Sequence, residues 1–273
     1  MKKILITGTD GFIGSQLKSS LEEYTTYQIY TLNENIFINE NWFEDVELML
    51  HSIRPDVIFH VGACSDTLEQ NVNYMMTLNF ESTKILMDYS KNHNIPLIYS
   101  SSAANYGTNN KYPSNLYGWS KYVAEQYVIS NGGVGLRYFN VYGPGEQNKG
   151  RMASVAYQMF IKNKNGEKIS LFPNKPSRDF VYVKDVLSAN IYAWENYNDV
   201  CGNYYEVGSG IANTFESVMH ELSIDFDYVD ESMIPKGYQY YTCSNSNLWM
   251  NGWVPKWTLK NGINDYIKTL KTK

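Results

Sequence analysis

Tyr117 and Lys121 stand four residues apart in Tyr117-Gly-Trp-Ser-Lys121, a spacing that places both side chains on one face of a helix. A free phenol, with a pKa near ~10, is a poor base at neutral pH. A neighbouring ammonium favours the phenolate and lowers that value, so the pair could take a proton from an alcohol. In a chain with 24 tyrosines the spacing by itself is equally compatible with a structural pair. The run Ile98-Tyr-Ser-Ser-Ser102 shifts the balance. It reads as a strand ending in hydroxyls at the rim where the Tyr117 helix begins, and a serine there can hydrogen-bond a substrate oxygen beside the phenol.

Such a base needs a partner for the electrons. Gly8, Gly11 and Gly14 follow the apolar strand Ile4-Leu-Ile6 and open a helix with Phe12, Ile13, Leu17 and Leu21 on one stripe. Gly8 allows a tight turn, Gly11 lets backbone approach a pyrophosphate, and Gly14 lets the helix pack close, its N-terminus facing the phosphates. The pattern predicts a dinucleotide, NAD or NADP. Between them the residues after the second strand leave the choice open. Asn33-Glu34 follows that strand, with no Lys or Arg before Arg54. A carboxylate there suits a ribose 2′-hydroxyl and a base suits a 2′-phosphate. Glu34 and Glu40 would repel the phosphate, and Asn33 could accept either group.

These residues must be brought together by a common scaffold. Strands are predicted at Tyr27–Leu32, at Ile36–Ile38, at Val57–Val61, at Leu97–Ser100 and at Val134–Phe139. Helices are predicted at Trp42–Ser52, at Tyr74–His93 and at Gly118–Ser130. Strand and helix alternating in this way predict an α/β fold, a Rossmann-type doubly wound parallel sheet. The rhythm loosens after Gly143-Pro-Gly145, where helices over Ala153–Lys162, Glu216–Ser223 and Asn261–Leu270 predict a smaller C-terminal substrate-binding lobe. Residues 1–142 and 178–201 are assigned to the dinucleotide domain, and 143–177 and 202–273 to the lobe.

The formal charge of −5 argues against nucleic acid or an anionic membrane as partner. No signal peptide or apolar run of transmembrane length is visible. Cys64, Cys201 and Cys243 show no metal-ligand spacing, so no metal is expected and a reducing cytoplasm is the compartment inferred. His60 lies within a strand pattern and reads as a hydrogen-bonded core residue.

Over nearly its whole length the chain resembles the extended short-chain dehydrogenase/reductase family. The resemblance rests on the glycine fingerprint, Val61-Gly-Ala63, Asn79, the set Ser102, Tyr117 and Lys121, and Arg178-Asp-Phe-Val-Tyr-Val-Lys-Asp185. It implies that Gly8, Gly11, Phe12, Ile13, Gly14, Asn33, Glu34, Val61, Gly62, Ala63, Ser65, Asn79 and Val141 meet the cofactor, as do Tyr117 and Lys121. Lys121 would hold the cofactor ribose and tune Tyr117. Several stretches look closer to one branch, the ADP-L-glycero-D-manno-heptose 6-epimerases: Gly62-Ala-Cys-Ser65, Tyr74-Met-Met76, Ser101-Ser-Ala-Ala104, Arg137-Tyr-Phe-Asn-Val-Tyr-Gly-Pro144 and Asn148-Lys-Gly-Arg-Met-Ala-Ser-Val-Ala156.

In that branch the lysine matching Lys149 reaches the reacting carbon opposite the tyrosine, so Ser102, Tyr117, Lys121 and Lys149 form the implied catalytic set. Asn140, Arg151, Gln158, Phe172, Arg178 and Tyr238 join Ser102 and Lys149 in the implied binding of a nucleotide-diphosphate sugar. Arg178 would pair with the diphosphate; otherwise it forms a salt bridge with Asp179 or Glu206. Arg151 stands where a serine is expected, and Gln158 where a histidine is. Kinship also implies a homo-oligomer. The expected activity is C6 epimerisation of an ADP-linked heptose by transient hydride transfer. The alternatives are another 4-epimerase or keto-sugar reductase of the same fold, or a catalytically silent NAD(P)-binding regulator. Ala103-Ala104-Asn105 lacks the Asp-Glu pair of a 4,6-dehydratase.

Overall fold

Strand β1 (Lys2–Thr7) is short, apolar and buried from Ile4 onward, and helix α1 (Phe12–Glu22) turns back over it through the glycine loop. The computed structural model describes residues 1–108 and 111–271. β1 is followed by β2 (Tyr27–Leu32), α2 (Trp42–Ile53), β3 (Val57–His60), α3 (Val72–Met76), α4 (Ser82–His93), β4 (Leu97–Ser102), α5 (Leu116–Ser130) and β5 (Val134–Tyr138). A six-stranded sheet runs β2-β1-β3-β4-β5 and ends on the strand Tyr204–Val207. Its printed pairings, β1 with β2 and β3, and β3 with β4, are parallel. Helices follow β1 to β4, so the loops at the carboxyl ends of these strands are where a ligand would be met.

The chain divides into two compact units, Met1–Arg137 with Leu187–Tyr205, and Tyr138–Val186 with Glu206–Lys273. These boundaries differ from those expected from sequence, since residues 138–142 and 178–186 fall in the second unit and 202–205 in the first. The strand Ser177–Tyr182 pairs with Asn140–Tyr142 and with Ala212–Thr214, all in the second unit. Its hydrogen-bond partners decide its allegiance.

Two further elements differ from expectation. Ile36–Ile38 is no strand but part of a 3₁₀ turn, Glu34–Ile38. Only Phe37 is buried there, and the turn satisfies its amides locally, Ile36 N–H to the Asn33 carbonyl at 3.2 Å. The long helix expected from Tyr74 is continuous from Val72 to His93 but is wound as a π-helix over Thr77–Glu81. Asn79 lies in that turn.

Candidate active site

The first unit carries the glycine loop and the Tyr117 helix. A Cβ on Gly8 would lie 2.5 Å from the Gly62 Cα, and one on Gly14 would lie 2.1 Å from the Gly8 carbonyl oxygen. Both positions tolerate only hydrogen. Gly11, the residue before α1, caps it with no side chain, and the first turn holds no carboxylate. The amides of an 11-residue helix therefore begin without a side-chain acceptor, the arrangement that suits a pyrophosphate. Phe12 itself points into the core, 5% exposed, so its contribution to a cofactor is limited to backbone. Ile13 is half-buried in the same turn. The residues fit a dinucleotide.

At the end of β2, Asn33 accepts a hydrogen bond from the Thr9 hydroxyl at 3.1 Å, which ties this corner to the glycine loop. Glu34 and Asp10 are exposed on the two segments so joined. On the other side, Gly62 donates to Thr7 Oγ1 at 2.8 Å. Thr7 in turn meets Nδ1 of His60, whose Nε2 meets Thr83 Oγ1 at 2.9 Å. Burial pushes the His60 pKa down to about 3, so this ring is neutral and structural. Val61, Gly62 and Ala63 are half-buried and Ser65 is exposed along the same loop.

Asn79 is held by protein partners. It is 1% exposed; its Oδ1 accepts from the Cys64 amide at 2.7 Å, and its Nδ2 donates to the Cys64 carbonyl and to Ser120 Oγ. The Ser120 hydroxyl donates a hydrogen bond to the Tyr117 carbonyl at 2.7 Å. Asn79 therefore fixes the cofactor-side loop to the helix that carries the phenol. π turns of this kind recur at functional sites because they aim a side chain that regular winding would misplace.

Helix α5 starts at Leu116, with Asn115 Oδ1 accepting from the Gly118 amide at 2.8 Å, so Tyr117 stands in the first turn. Tyr117, Lys121 and Glu125 then fall on one face at intervals of four. Ser102 closes β4 and accepts from the Ala104 amide at 3.1 Å. Burial raises the Tyr117 pKa above the ordinary phenol value, and a hydrogen bond from Ser102 opposes that rise. The Lys121 ammonium lies 4.3 Å from the centre of the Tyr99 ring, and burial pushes its pKa down to about 7, with Glu125 opposing.

Glu125 was not singled out by the motif and belongs to a buried ion pair. Arg137 Nε donates to its Oε2 at 2.8 Å and Nη2 to its Oε1 at 2.5 Å, with Ser101 donating at 2.7 Å. Arg137 is stacked between Tyr106 and Tyr204, 4.7 and 3.6 Å from their ring centres. The pair locks β4, α5 and β5 beneath Ser102 and Lys121. Its only signal in the sequence is the continuation of the Tyr117–Lys121 spacing by four residues.

The second unit carries the remaining residues. Asn140 is exposed and Val141 half-buried on the strand Asn140–Tyr142. Arg178 is 9% exposed, donates to the carbonyls of Ser177 and Gln239, and faces the rings of Phe215 and Tyr238 at 5.6 and 5.5 Å. Burial lowers its pKa, with Tyr238 opposing. Phe172 meets Tyr238 edge-on, ring centres 5.0 Å apart, so the structure groups Phe172, Arg178 and Tyr238. Asp179 does not serve as the arginine's partner. It is fully buried and accepts from the amides of Ser209, Gly210 and Ser244 and from the hydroxyls of Ser209 and Ser244.

Lys149 and Arg151 lie on the turn Glu146–Met152. Lys149 is partly buried, and burial lowers its pKa against the charge of Glu146. The Gln158 carboxamide nitrogen donates to the carbonyls of Arg151 at 3.2 Å and Ala153 at 2.7 Å. Gln158 thus steadies the Lys149–Arg151 turn.

A dinucleotide loop and a Ser-Tyr-Lys set on the adjoining strand and helix of the first unit fit a nicotinamide-dependent enzyme acting on an alcohol or ketone. Residues 4–208 match the model of the NAD dependent epimerase/dehydratase family, and the chain belongs to that family. It is similar to the ADP-L-glycero-D-manno-heptose-6-epimerase of Brachyspira hyodysenteriae (strain ATCC 49526 / WA1), 33% identical over 98% of each chain. Among solved structures it resembles the Helicobacter pylori ADP-L-glycero-D-manno-heptose-6-epimerase, with a TM-score of 0.86 and 27% identity over 100% of this chain and 97% of that one. UDP-glucose 4-epimerase from Thermotoga maritima shares the fold, with a TM-score of 0.84 and 24% identity over 99% of each chain. Among the described residues no helix is long and apolar enough to cross a membrane, and no cluster of three His, Cys, Asp or Glu is placed to hold a metal.

Proposed function

We propose that this chain inverts carbon 6 of an ADP-linked heptose through a transient ketone. The observation that carries the reading is the chain-long identity to a heptose epimerase, together with a hydrogen-bonded Ser102–Tyr117 pair and a half-buried Lys149. When bound, the nicotinamide supplies a two-electron acceptor that takes the C6 hydride and returns it. Tyr117 removes the O6 proton as the C6–H bond breaks, and Ser102 holds the oxygen while the C–O double bond forms. Once the group turns, its oxygen lies elsewhere, and Lys149 donates the proton as the hydride returns to the other face. Two proton carriers are needed because one cannot meet both orientations. The proton on Tyr117 then returns to Lys149 through solvent, and there is no net redox change. Arg178 meets the diphosphate, for which a planar guanidinium is suited. Phe172 and Tyr238 flank it, and Asn140 meets the sugar.

The test is substrate deuterated at C6, presented among ADP-, GDP-, UDP- and dTDP-sugars and followed by NMR. The ADP-heptose is expected to be inverted with its label retained. Extensive loss of label to solvent, or inversion of another sugar only, would overturn the reading.

We assign NAD as the cofactor. Asp10 and Glu34 are both exposed on segments that the Thr9–Asn33 hydrogen bond holds together, and no Lys or Arg occurs between Asn33 and Ile53. NAD is expected to bind at least about tenfold more tightly than NADP, because a 2′-phosphate would face like charge. Fluorescence titration of both dinucleotides, with identification of any that co-purifies, checks this; tighter NADP binding would refute it. Three free thiols, Cys64, Cys201 and Cys243, support placement in the cytoplasm. Self-association through α4 and α5, where Trp119 is 44% exposed, completes the reading.

A further inference from the structure

The turn that carries Lys149 is closed by a carboxylate. Glu146 is fully buried and accepts from the amides of Gly143 at 3.1 Å and Ser154 at 2.5 Å, and from the Ser154 hydroxyl at 2.8 Å. The Tyr266 phenol, from the helix Leu259–Lys271, faces it. The donors come from both ends of the segment. Within the segment Gly145 (φ +100°) and Gly150 (φ +53°, ψ −125°) both leave regular helical geometry, so it does not follow a single helical path. Glu146 and Lys149 are three residues apart in a 3₁₀ turn, where positions i and i+3 eclipse.

We propose that Glu146 is the positioning residue for Lys149: it fixes the turn that presents the ammonium and supplies the negative charge the ammonium faces. This rests on Lys149 acting as the proton donor proposed above. A buried carboxylate is costly, and a loop clamp needs only neutral acceptors, so its charge calls for a role of its own. The titratable groups around it are Lys149 on its own turn, Tyr266 on the C-terminal helix, and Tyr157 and Tyr182 facing Tyr266. Burial raises the Glu146 pKa, and the hydrogen bonds from Ser154 and Gly143 oppose that rise and favour the carboxylate. Burial also holds the Tyr266 and Tyr182 phenols above their ordinary values, which leaves them neutral, so it is the Glu146 carboxylate whose charge acts on the lysine. Burial lowers the Lys149 pKa and Glu146 opposes that, so removing the charge lowers it further. Lys149 must be protonated to donate. Activity is therefore lost as pH rises through its pKa, and the loss must come at lower pH without Glu146.

The experiment is the pH profile of kcat/KM for wild type and Glu146→Gln, whose side chain keeps the shape and an acceptor oxygen. The alkaline limb is expected to move down by about one pH unit, with the melting temperature retained. A limb that stays in place while kcat falls uniformly would overturn the proposal, because a clamp alone would behave so. Wild-type turnover separates the two claims: an inactive wild type sinks the reading of the site, and an active one with an unmoved variant limb sinks only the role of Glu146. Should Glu146→Gln not fold, Ser154→Ala thins the clamp and leaves the charge. It is expected to lower kcat several-fold with the limb unmoved, and an unchanged kcat would overturn the proposal.

Discussion

Tyr117→Phe is expected to lower kcat by about 10²–10⁴-fold, the range assigned to a positioned acid/base, while the protein still binds its dinucleotide. The substitution removes one oxygen. The ring stays in the first turn of α5, held by the Asn115 cap and by Ser120 through the Tyr117 carbonyl, neither of which uses the hydroxyl. The loss is thus confined to chemistry, and binding measured by fluorescence should be within a few-fold of wild type. No ketone should be trapped by hydroxylamine from this variant, since the first proton has no acceptor. Undiminished turnover would remove Tyr117 from the mechanism, and loss of cofactor binding would point to a structural part.

Lys149→Met is expected to lower epimerisation by about 10²-fold or more, but with a different residue of activity. Tyr117 and Ser102 remain, so the sugar can still be oxidised and reduced back on its original face. Hydroxylamine should therefore trap a ketone from Lys149→Met and not from Tyr117→Phe. A variant that inverts C6 at the wild-type rate would reduce Lys149 to a solvated lysine. One that binds no substrate would make it a phosphate contact.

The strands were readable because a parallel strand buried on both faces is a continuous apolar run, as in Ile4–Ile6 and Val57–Phe59. The 3₁₀ turn at Glu34–Ile38 was misread for the same reason: two isoleucines around a phenylalanine imitate such a run, yet Ile38 stays 56% exposed. The Tyr117-to-Lys121 spacing and the glycine loop were visible because local geometry alone demands them. The contact of Lys121 with Tyr99 was not legible, because it depends on a residue of β4, beyond the helix that the spacing describes. Glu146 carried no local sign. A glutamate between Gly145 and Asn148 looks solvated, and its neighbours Ser154 and Tyr266 are known only once the chain has folded. Arg178 was recognised by its surroundings in the sequence, but its orientation is set by the carbonyls of Ser177 and Gln239.

The π winding at Thr77–Glu81 also constrains chain length. Asn79 within it reaches Cys64 and Ser120, while Ile85, Leu86 and Met87 after it face the core. A π turn takes up one extra residue without turning its flanks against each other, so removing a residue would return the turn to regular winding. The Asn79 amide would then lose the place from which it reaches both partners. Deletions that a surface loop absorbs are therefore closed to this helix, even where no atom of the catalytic set is changed.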